Sequence, residues 1–440
     1  MQPNSDKTTR PIARTARKPP LTLLSRLHRL GVHNGGSAAV LAAILFPVVI
    51  GGLGLGAETG YWYLSQRKLQ HAVDVSVHAA GARLRADDTD AKIQAAALHV
   101  ATQSGFPPAS GTLTVNIPPQ SGAFAGNAES VEVIATETRA RLFSSVFNSD
   151  PVTLRARAVA KVTKTAGSVA CVLALSPTLS AAAKVSGSTS IDLNGCDVAS
   201  NSNAANSFLM DGTNAVLSTG CVYAVGKAVT SNGLTLTQCA KVKEYAPITR
   251  DPYAAVAAPT SWSNCSGKNQ GHPTLPSPNL TPRCFTGGLT VKGALHFEPG
   301  LYIIDGGEFS VNSGDNAKLT GSGVTFYLAN NAKLNIGGSV QLNFSAPTSG
   351  TYSGILFFGS RTATGISHML SGNSASAYTG AIYAPASNIS FAGSSKATGD
   401  GCTQIIGATV TLTGNSTLKS TCAASGTNDI ATNEVVKIVE

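Results

Sequence analysis

The stretch Gly35–Ala57 constrains this chain more than any other feature, because its 23 residues contain no charged side chain. A helix of that length crosses a hydrocarbon core of about 30 Å. One acid, Asp6, and seven basic residues precede it. The basic residues are Lys7, Arg10, Arg14, Arg17, Lys18, Arg26 and Arg29. Since basic residues stay on the cytoplasmic side of a membrane, the first 34 residues are predicted to be cytoplasmic and the chain after Glu58 external.

A cleaved signal peptide is the alternative interpretation of this stretch. A signal peptide has a shorter apolar region followed by a cleavage site between small residues. Here the run is long and continues into a helical pattern, YWYLSQRKLQ, so the sequence favours an uncleaved anchor. Tyr61, Trp62 and Tyr63 then lie where the membrane interface is expected. Gly52 and Gly56 form a GxxxG pair, a spacing that lets two helices approach closely, although small residues are common in membrane helices.

The net charge of +9 is concentrated in the N-terminal tail, which contributes +6, whereas the other 406 residues contribute only +3. A basic tail beside a bilayer indicates topology and contact with anionic lipid, not nucleic-acid binding. Charged residues make up 12% of the chain, and 45 residues are glycine. This composition predicts a β-rich, turn-rich external part.

The cysteines point to an oxidising compartment, because all eight lie in the predicted external part. They are Cys171, Cys196, Cys221, Cys239, Cys265, Cys284, Cys402 and Cys422. No two form a CxxC motif, which argues against zinc and thioredoxin-type sites. Eight cysteines allow 105 pairings. Spacings of 25, 18, 19 and 20 residues within successive pairs favour the sequential arrangement.

A small α+β module is predicted between the membrane and residue 165. Leu69, Val73 and Ala80 recur at helical spacing, and a second helix follows over 90–102. Alternating apolar residues then predict strands over 112–117, 130–136 and 152–162. In the first helix, His71, Asp74 and His78 fall near one face, but such a set on an amphipathic helix is more typical of a solvated face than of a metal site.

The segment from Gly35 to Leu84 resembles the N-terminal region of TadG-like proteins of Flp (tight-adherence) pilus assembly. That family has a Gly/Ala-rich membrane helix, an outer acid, an aromatic turn and a Leu-Gln-x-Ala-x-Asp pattern. The matching residues here are Glu58, Tyr61 to Tyr63, Leu69, Gln70, Ala72 and Asp74. Two departures are Glu58, where the family usually has Asp, and His78, which interrupts a small-residue segment. The resemblance implies a membrane-anchored component of pilus assembly.

Beyond Gly167, short units repeat in which a small turn precedes alternating apolar residues, as in VSGSTSIDL, TSNGLTL, NSGDNAKL and ANNAKLNI. Repetition without intervening helices is typical of a solenoid. Coils of roughly 20 to 25 residues predict ten to twelve turns of a right-handed parallel β-helix; a β-sandwich pair is the alternative. The blocks EPGLYIIDGG, GSGVTFYL, SAPTSGTYSGILFF and GAIYAPASNISFAG also resemble the β-helix-like C-terminal regions of some Tad-like proteins. The proline-rich segment from Pro247 to Pro282 is interpreted as a loop or a linker between two stacks.

Four acids in this region raise the question of carbohydrate chemistry, namely Asp305, Glu308, Asp315 and Asp400. A glycosidase needs two carboxylates on either side of one bond. Asp305 in DGG and Asp400 in GDG instead lie in good turn contexts. The sequence contains no nucleophile elbow, HExxH motif or phosphate loop. His296 and His368 have no evident partners in the sequence. Asp192, Asn194 and Asp211 do not fit a calcium loop.

Together these observations predict four regions: a cytoplasmic tail (1–34), a transmembrane helix (35–57), a helical extension with a TadG-like α+β module (58–165) and a disulfide-bonded β-helix (166–440). We expect a single-pass protein of the bacterial inner membrane, with its C-terminal domain periplasmic or extracellular. It would serve as a non-enzymatic structural component of a Flp-type pilus or adhesion system, without a cofactor. Expected partners are the lipid bilayer, other envelope proteins and a second copy through the membrane helix. The alternative is a tethered β-helix that binds or cleaves polysaccharide.

Overall fold

The computed structural model describes residues 36–164, 169–193, 195–212, 214–267, 269–270, 279–312, 317–337, 340–372, 376–393, 402–418 and 425–440. It opens with a long helix, α1, over Gly36–Arg85, which runs through Pro47 without interruption. A shorter helix, α2, follows over Asp90–Gln103. The predicted membrane helix and its extension are therefore one continuous element.

The two parts of α1 differ in burial. The large apolar side chains between Val40 and Leu55 are 39–71% exposed. Farther along, buried side chains recur every three or four residues, at Leu69, Ala72, Val73, Val77 and Ala80. That spacing places them on one face, as the sequence predicts. At the end of the face, a Cβ on Gly81 would lie 2.6 Å from Val436 Cγ1, so only glycine permits this close approach.

A four-stranded sheet contains three strands from the predicted α+β module and a fourth from the C-terminus. The first three are β1 (Gly111–Asn116), β2 (Ser130–Arg139) and β3 (Val152–Lys164). The last strand of the chain, Glu434–Ile438, pairs antiparallel with β3, and Glu434 lies opposite Lys164. Assigning all of 166–440 to the β-helix is therefore wrong for this strand. The remaining strands form a separate body, whose sequence is inserted between β3 and this last strand.

The inserted body is a parallel β-solenoid of about nine turns, which we divide into two arms. The N-terminal arm contains the strands Val169–Ala174, Ala183–Ser186, Ser190–Asp192, Asp197–Ser200, Phe208–Asp211, Val216–Thr219, Val222–Ala224, Ala228–Val229, Leu234–Leu236 and Lys243–Glu244. The C-terminal arm contains Asn269–Gln270, Asn279–Leu280, Cys284–Lys292, Ala294–Phe297, Gly300–Asn312, Lys318–Ser322, Val324–Ala329, Lys333–Ile336, Gln341–Ser345, Ile355–Gly359, Ser367–Gly372, Ala377–Gly393, Thr403–Leu412 and Asn415–Thr417. A short strand, Ile430–Ala431, then pairs antiparallel with the first strand of the N-terminal arm.

The two arms form one stack, in an order that differs from the order of the chain. The last long strand of the C-terminal arm pairs in parallel with the first strand of the N-terminal arm, so that Ile406 lies opposite Leu173. One column of stacked residues consequently runs through Cys284, Ile303, Tyr327, Phe358, Tyr383, Ile406, Leu173, Ala199, Tyr223 and Lys243. The chain enters the stack in the middle, winds to one end, crosses to the other end and winds back.

The crossing segment, residues 245–265, lies along that column and is called the strap below. Asn201 of the N-terminal arm donates to Thr249 O at 2.8 Å and accepts from Thr249 N at 2.9 Å. Tyr253 is fully buried, with its ring 5.4 Å from that of Tyr383, and Trp262 lies 6.1 Å from Tyr327. The prediction of a loop or a linker between two stacks over 247–282 is therefore wrong in part: residues 247–265 pack on a single stack, and Asn269–Gln270 and Asn279–Leu280 are strands of it, while residues 268 and 271–278 lie outside the described residues.

The strap also accounts for the number of turns. A chain that formed coils throughout residues 171–440 would have about ten to twelve turns, but the strap and the final strand do not form coils. The β-sandwich alternative is not what the structure shows, since nearly all strand pairs of this body are parallel and join successive coils.

Candidate functional site

The first candidate site is the membrane anchor. Among the described residues, one helix, Ala39–Arg85, is long and apolar enough to cross a membrane, and almost none of its apolar window is buried inside the protein. A core helix of a soluble protein would instead be mostly covered. The exposed apolar surface between Val40 and Leu55 therefore fits a bilayer, whose hydrocarbon can contact a helix on all sides.

The glycines of the anchor differ in what surrounds them. In the part of the chain that the structure describes, a Cβ on Gly52 or Gly56 would meet no atom within 4 Å, so the predicted helix-packing face is open there. Its use for dimerisation stays a prediction. A Cβ on Gly54, in contrast, would lie only 2.5 Å from Cδ1 of Phe143. The sequence does not single out Gly54, because a glycine-rich run gives no sign of which glycine has a neighbour.

Phe143 belongs to a loop that Glu58 holds against α1. The Glu58 carboxylate is 1% exposed and accepts hydrogen bonds from Leu142 N at 2.7 Å, Ser144 N at 2.6 Å and Ser144 Oγ at 2.9 Å. Leu142 immediately precedes a short 3₁₀ helix over Phe143–Val146. Free amide groups at a helix start attract an anion, so the acid at the end of the apolar run has a structural partner.

Two arginines pack on the aromatic residues that follow the apolar run. Arg139 donates to the Tyr61 hydroxyl at 3.0 Å, and its guanidinium carbon lies 5.8 Å from the centre of that ring. Arg141 lies 5.6 Å from the Trp62 ring centre. Aromatic and cationic groups together are typical of the headgroup region of a membrane.

The second candidate site is the solenoid, which disulfides cross-link. The bonds join Cys171 to Cys196, Cys221 to Cys239 and Cys265 to Cys284, three of the four sequential pairs favoured by the spacing. Their Cα–Cα distances of 5.7, 5.3 and 4.5 Å follow from the stacking of coils. Cys422 lies outside the described residues, so its pairing with Cys402 stays a prediction.

The acids considered for carbohydrate chemistry have structural partners where they are described. Asp305 accepts hydrogen bonds from Trp262 Nε1 at 3.1 Å and Asn330 Nδ2 at 2.6 Å. Glu308 accepts from Asn335 at 3.1 Å, and its carboxylate lies 3.5 Å from Lys333 Nζ. These neighbours hold the pKa of Glu308 below its usual range, chiefly through the Asn335 hydrogen bond. Asp315 and Asp400 lie outside the described residues.

The histidines of the solenoid have partners that the sequence does not reveal. His296 Nδ1 lies 2.8 Å from Thr320 Oγ1 on the next coil. His368 is buried, and its Nδ1 accepts from Leu334 N at 3.2 Å. Burial lowers the pKa of His368 to about 4, which keeps the ring neutral. Across the described ranges, which contain His71, Asp74 and His78, no group of three or more His, Cys, Asp or Glu side chains could hold a metal ion.

Arg250 joins the strap to the C-terminal end of α1 and to Glu129, a role that sequence reasoning missed. Its guanidinium donates to the carbonyl oxygens of Leu84 and Arg85 and to the Glu129 carboxylate, the last at 3.0 Å. The last carbonyl groups of a helix have no partner inside the helix, and a cation there also matches the helix dipole. Arg85 in turn donates to Glu434 O at 2.8 Å. An isolated arginine in a proline-rich stretch carries no sequence signal of this role.

The anchor is also the part of the chain that matches a family model whose description names a function. Residues 36–83 match the family model described as putative Flp pilus-assembly TadE/G-like. This match covers nearly all of α1 and supports the resemblance noted in the sequence. A second model, a domain of unknown function (DUF7305), matches residues 284–423, which correspond to most of the C-terminal arm. No curated protein and no solved structure matches the chain.

Proposed function

We propose that this protein is a single-pass, membrane-anchored structural component of Flp-type pilus assembly or adhesion, which presents a disulfide-bonded β-solenoid outside the cytoplasm. The observation that carries the proposal is the coincidence of two features on α1. The TadE/G-like match over 36–83 falls on the helix that is apolar enough to span a membrane.

The basic tail supports the orientation. Seven basic residues precede the apolar run, and such residues remain in the cytoplasm. The inner membrane of a bacterium is the location that this orientation and the pilus-assembly relationship favour. Disulfides in both arms of the solenoid fit an oxidising compartment beyond that membrane.

A non-enzymatic role is supported by the partners of the acids. Asp305 and Glu308 are engaged by a tryptophan, by amides and by a lysine of the protein itself. A catalytic pair would instead present two carboxylates to a substrate. A long stack of coils offers extended flanks, a surface suited to contacts with other envelope proteins.

Topology can be tested with reporters fused through a linker after Glu440. A reporter that is active only outside the cytoplasm should be active there, and one that is active only in the cytoplasm should be silent. The same pair fused before Met1 should give the opposite result and serves as the control. Cytoplasmic activity at the C-terminus would contradict the proposed orientation.

The role of the solenoid can be tested by a deletion that the sheet pairing makes possible. Lys164 lies opposite Glu434 in an antiparallel pair, so an Asn-Gly turn can replace residues 165–433 and close a two-residue hairpin. Simple truncation after Lys164 would remove the last strand as well. We expect the deletion variant to reach the membrane but to lose surface attachment or pilus display, as in a strain lacking the gene.

Matched variants of the acids separate the structural role from an enzymatic one. Asp305→Ala and Glu308→Ala should leave attachment unchanged, provided that the proteins accumulate to the wild-type level. If one of them abolishes attachment in a folded protein, and the purified protein cleaves a polysaccharide, the structural proposal is wrong.

A further inference from the structure

The loop held by Glu58 ends in an apolar tip that is largely exposed among the described residues. Its four large apolar side chains lie within or next to one 3₁₀ turn. Leu142 is 55% exposed, Phe143 51%, Val146 84% and Phe147 81%. Side chains this apolar rarely cluster on a surface that faces water.

The depth of this tip relative to the anchor follows from Gly54. Phe143 packs so closely there that a Cβ on Gly54 would meet its ring at 2.5 Å. Gly54 lies inside the uncharged run and one helical turn before Glu58. Whatever surrounds the outer end of the apolar run therefore also surrounds Phe143.

The loop is fixed at that depth by Glu58. Three hydrogen bonds from Leu142 and Ser144 end on its buried carboxylate. Because two of the donors are backbone amides, the clamp sets the position of the backbone itself. The apolar tip cannot withdraw from the anchor without leaving a buried carboxylate without partners.

The charges beside the tip match a phospholipid surface. The segment from Arg139 to Phe147 contains two arginines, of which Arg139 also pairs with Glu137 at 2.5 Å, while no ion pair of Arg141 is seen among the described residues. Arg139 and Arg141 lie against Tyr61 and Trp62, the aromatic residues that follow the apolar run. Apolar side chains flanked by arginines and interfacial aromatics are the pattern of elements that enter the headgroup and upper acyl region.

We infer that the 140–147 loop is a second membrane contact, which inserts Leu142, Phe143, Val146 and Phe147 into the outer leaflet of the bilayer that α1 spans. Its ligand is phospholipid: acyl chains around the apolar tip, and anionic headgroups beside Arg141. The inference rests on the proposed membrane anchoring by α1, and it adds a contact that fixes the height of the first external residues above the bilayer.

Nitroxide labels on the full-length protein in phospholipid nanodiscs test this inference. Single cysteines are introduced by Val146→Cys and Phe147→Cys, with Leu53→Cys as the membrane reference and Val229→Cys, on an exposed strand of the solenoid, as the aqueous reference. Each label is then scored by its collisions with oxygen, which concentrates in lipid, against those with a water-soluble nickel chelate. The wild-type chain taken through the same labelling gives the background from native cysteines.

Labels at positions 146 and 147 should show an oxygen-to-nickel ratio well above that at position 229 and close to that at position 53, because the apolar tip lies among acyl chains. A ratio equal to that at position 229 would overturn the inference. Protection from both reagents would also overturn it, because a protein surface would then cover the tip. A water-exposed label at position 53 would contradict the anchoring itself, whereas a lipid-exposed label at 53 with water-exposed labels at 146 and 147 would refute the loop alone.

Discussion

The two arms of the solenoid share one architecture but differ in what holds them together. In the N-terminal arm the longest strand has six residues, and small or β-branched side chains such as Val172, Ala183 and Val198 are common in its core. In the C-terminal arm one strand reaches 17 residues, and the core is rich in aromatic rings. Phe326 alone lies 5.1–5.4 Å from Phe297, Tyr302, Phe309, Phe344 and Phe357.

Disulfides, in contrast, reinforce both arms. Two described disulfides, Cys171–Cys196 and Cys221–Cys239, lie in the short-stranded N-terminal arm. The third joins the strap at Cys265 to the first long strand of the C-terminal arm, and Cys402 of that arm is disulfide-bonded as well. Small side chains bury less apolar surface than aromatic ones, so the disulfides of the N-terminal arm supplement a core that contributes less. The difference teaches that one backbone plan can be filled by aromatic rings in one part of a molecule and by small side chains in another.

The largest effect on stability is predicted for a substitution that disrupts the aromatic core. Phe326→Ala should lower the free energy of unfolding by about 3–5 kcal/mol, because a fully buried ring leaves a cavity among five others. Phe326→Leu keeps most of the volume and should cost less than about 1.5 kcal/mol. Thermal and denaturant unfolding of both variants measure this. Equal small losses would show that the aromatic cluster does not stabilise the arm.

The next effect removes a cross-link from the other arm. The double variant Cys221→Ser and Cys239→Ser opens a bridge 18 residues apart in sequence and should cost on the order of 3 kcal/mol. The loss should be local, with faster amide hydrogen exchange over 197–236 and unchanged exchange over 324–359. Uniformly faster exchange through both arms would contradict the contrast between them.

A pH effect of up to about 3 kcal/mol is expected in the N-terminal arm. Burial raises the pKa of Asp197 to about 6, although its carboxylate accepts from Cys221 N and Thr432 Oγ1, both at 2.7 Å. Since the folded protein holds this proton more tightly than the unfolded chain, the contribution of Asp197 to stability is greatest below pH 4 and is lost as the pH rises to about 6.

Asp197→Asn removes the charge but keeps an acceptor for Cys221 N. The variant should therefore be more stable than the wild type at pH 7, by up to about 3 kcal/mol, and the advantage should shrink towards pH 4. Unfolding free energies measured from pH 4 to 7.5 test the sign. An advantage that does not change with pH would show that the charge of Asp197 is not responsible.

The sequence predicts the type of each region better than their arrangement. Turn-and-strand repeats indicate coils, but the sequence of a coil has the same pattern whichever coil it stacks on. The pairing of Ile406 with Leu173 could therefore not be predicted. The terminal EVVKI fits a strand of any sheet, and only the structure pairs it with β3. Glu58 was found through family resemblance, whereas its partners in the LFSSVF segment lie 84 and 86 residues away, beyond any local pattern.

The smallest predicted effects concern the acids of the C-terminal arm, and they test whether its outer face depends on the strap. Asp305→Ala removes the acceptor for Trp262 Nε1 and should cost about 1–2 kcal/mol, because the half-buried indole loses its charged partner. Glu308→Ala is the matched control. Its carboxylate and Lys333 are 46% and 41% exposed, and surface ion pairs of this kind contribute about 0–1 kcal/mol.

Tryptophan fluorescence should then report a change at the strap for Asp305→Ala but not for Glu308→Ala. Equal responses would mean that Asp305 is an ordinary turn residue, and that the strap is held by the packing of Trp262 on Tyr327 and by the Cys265–Cys284 bond instead.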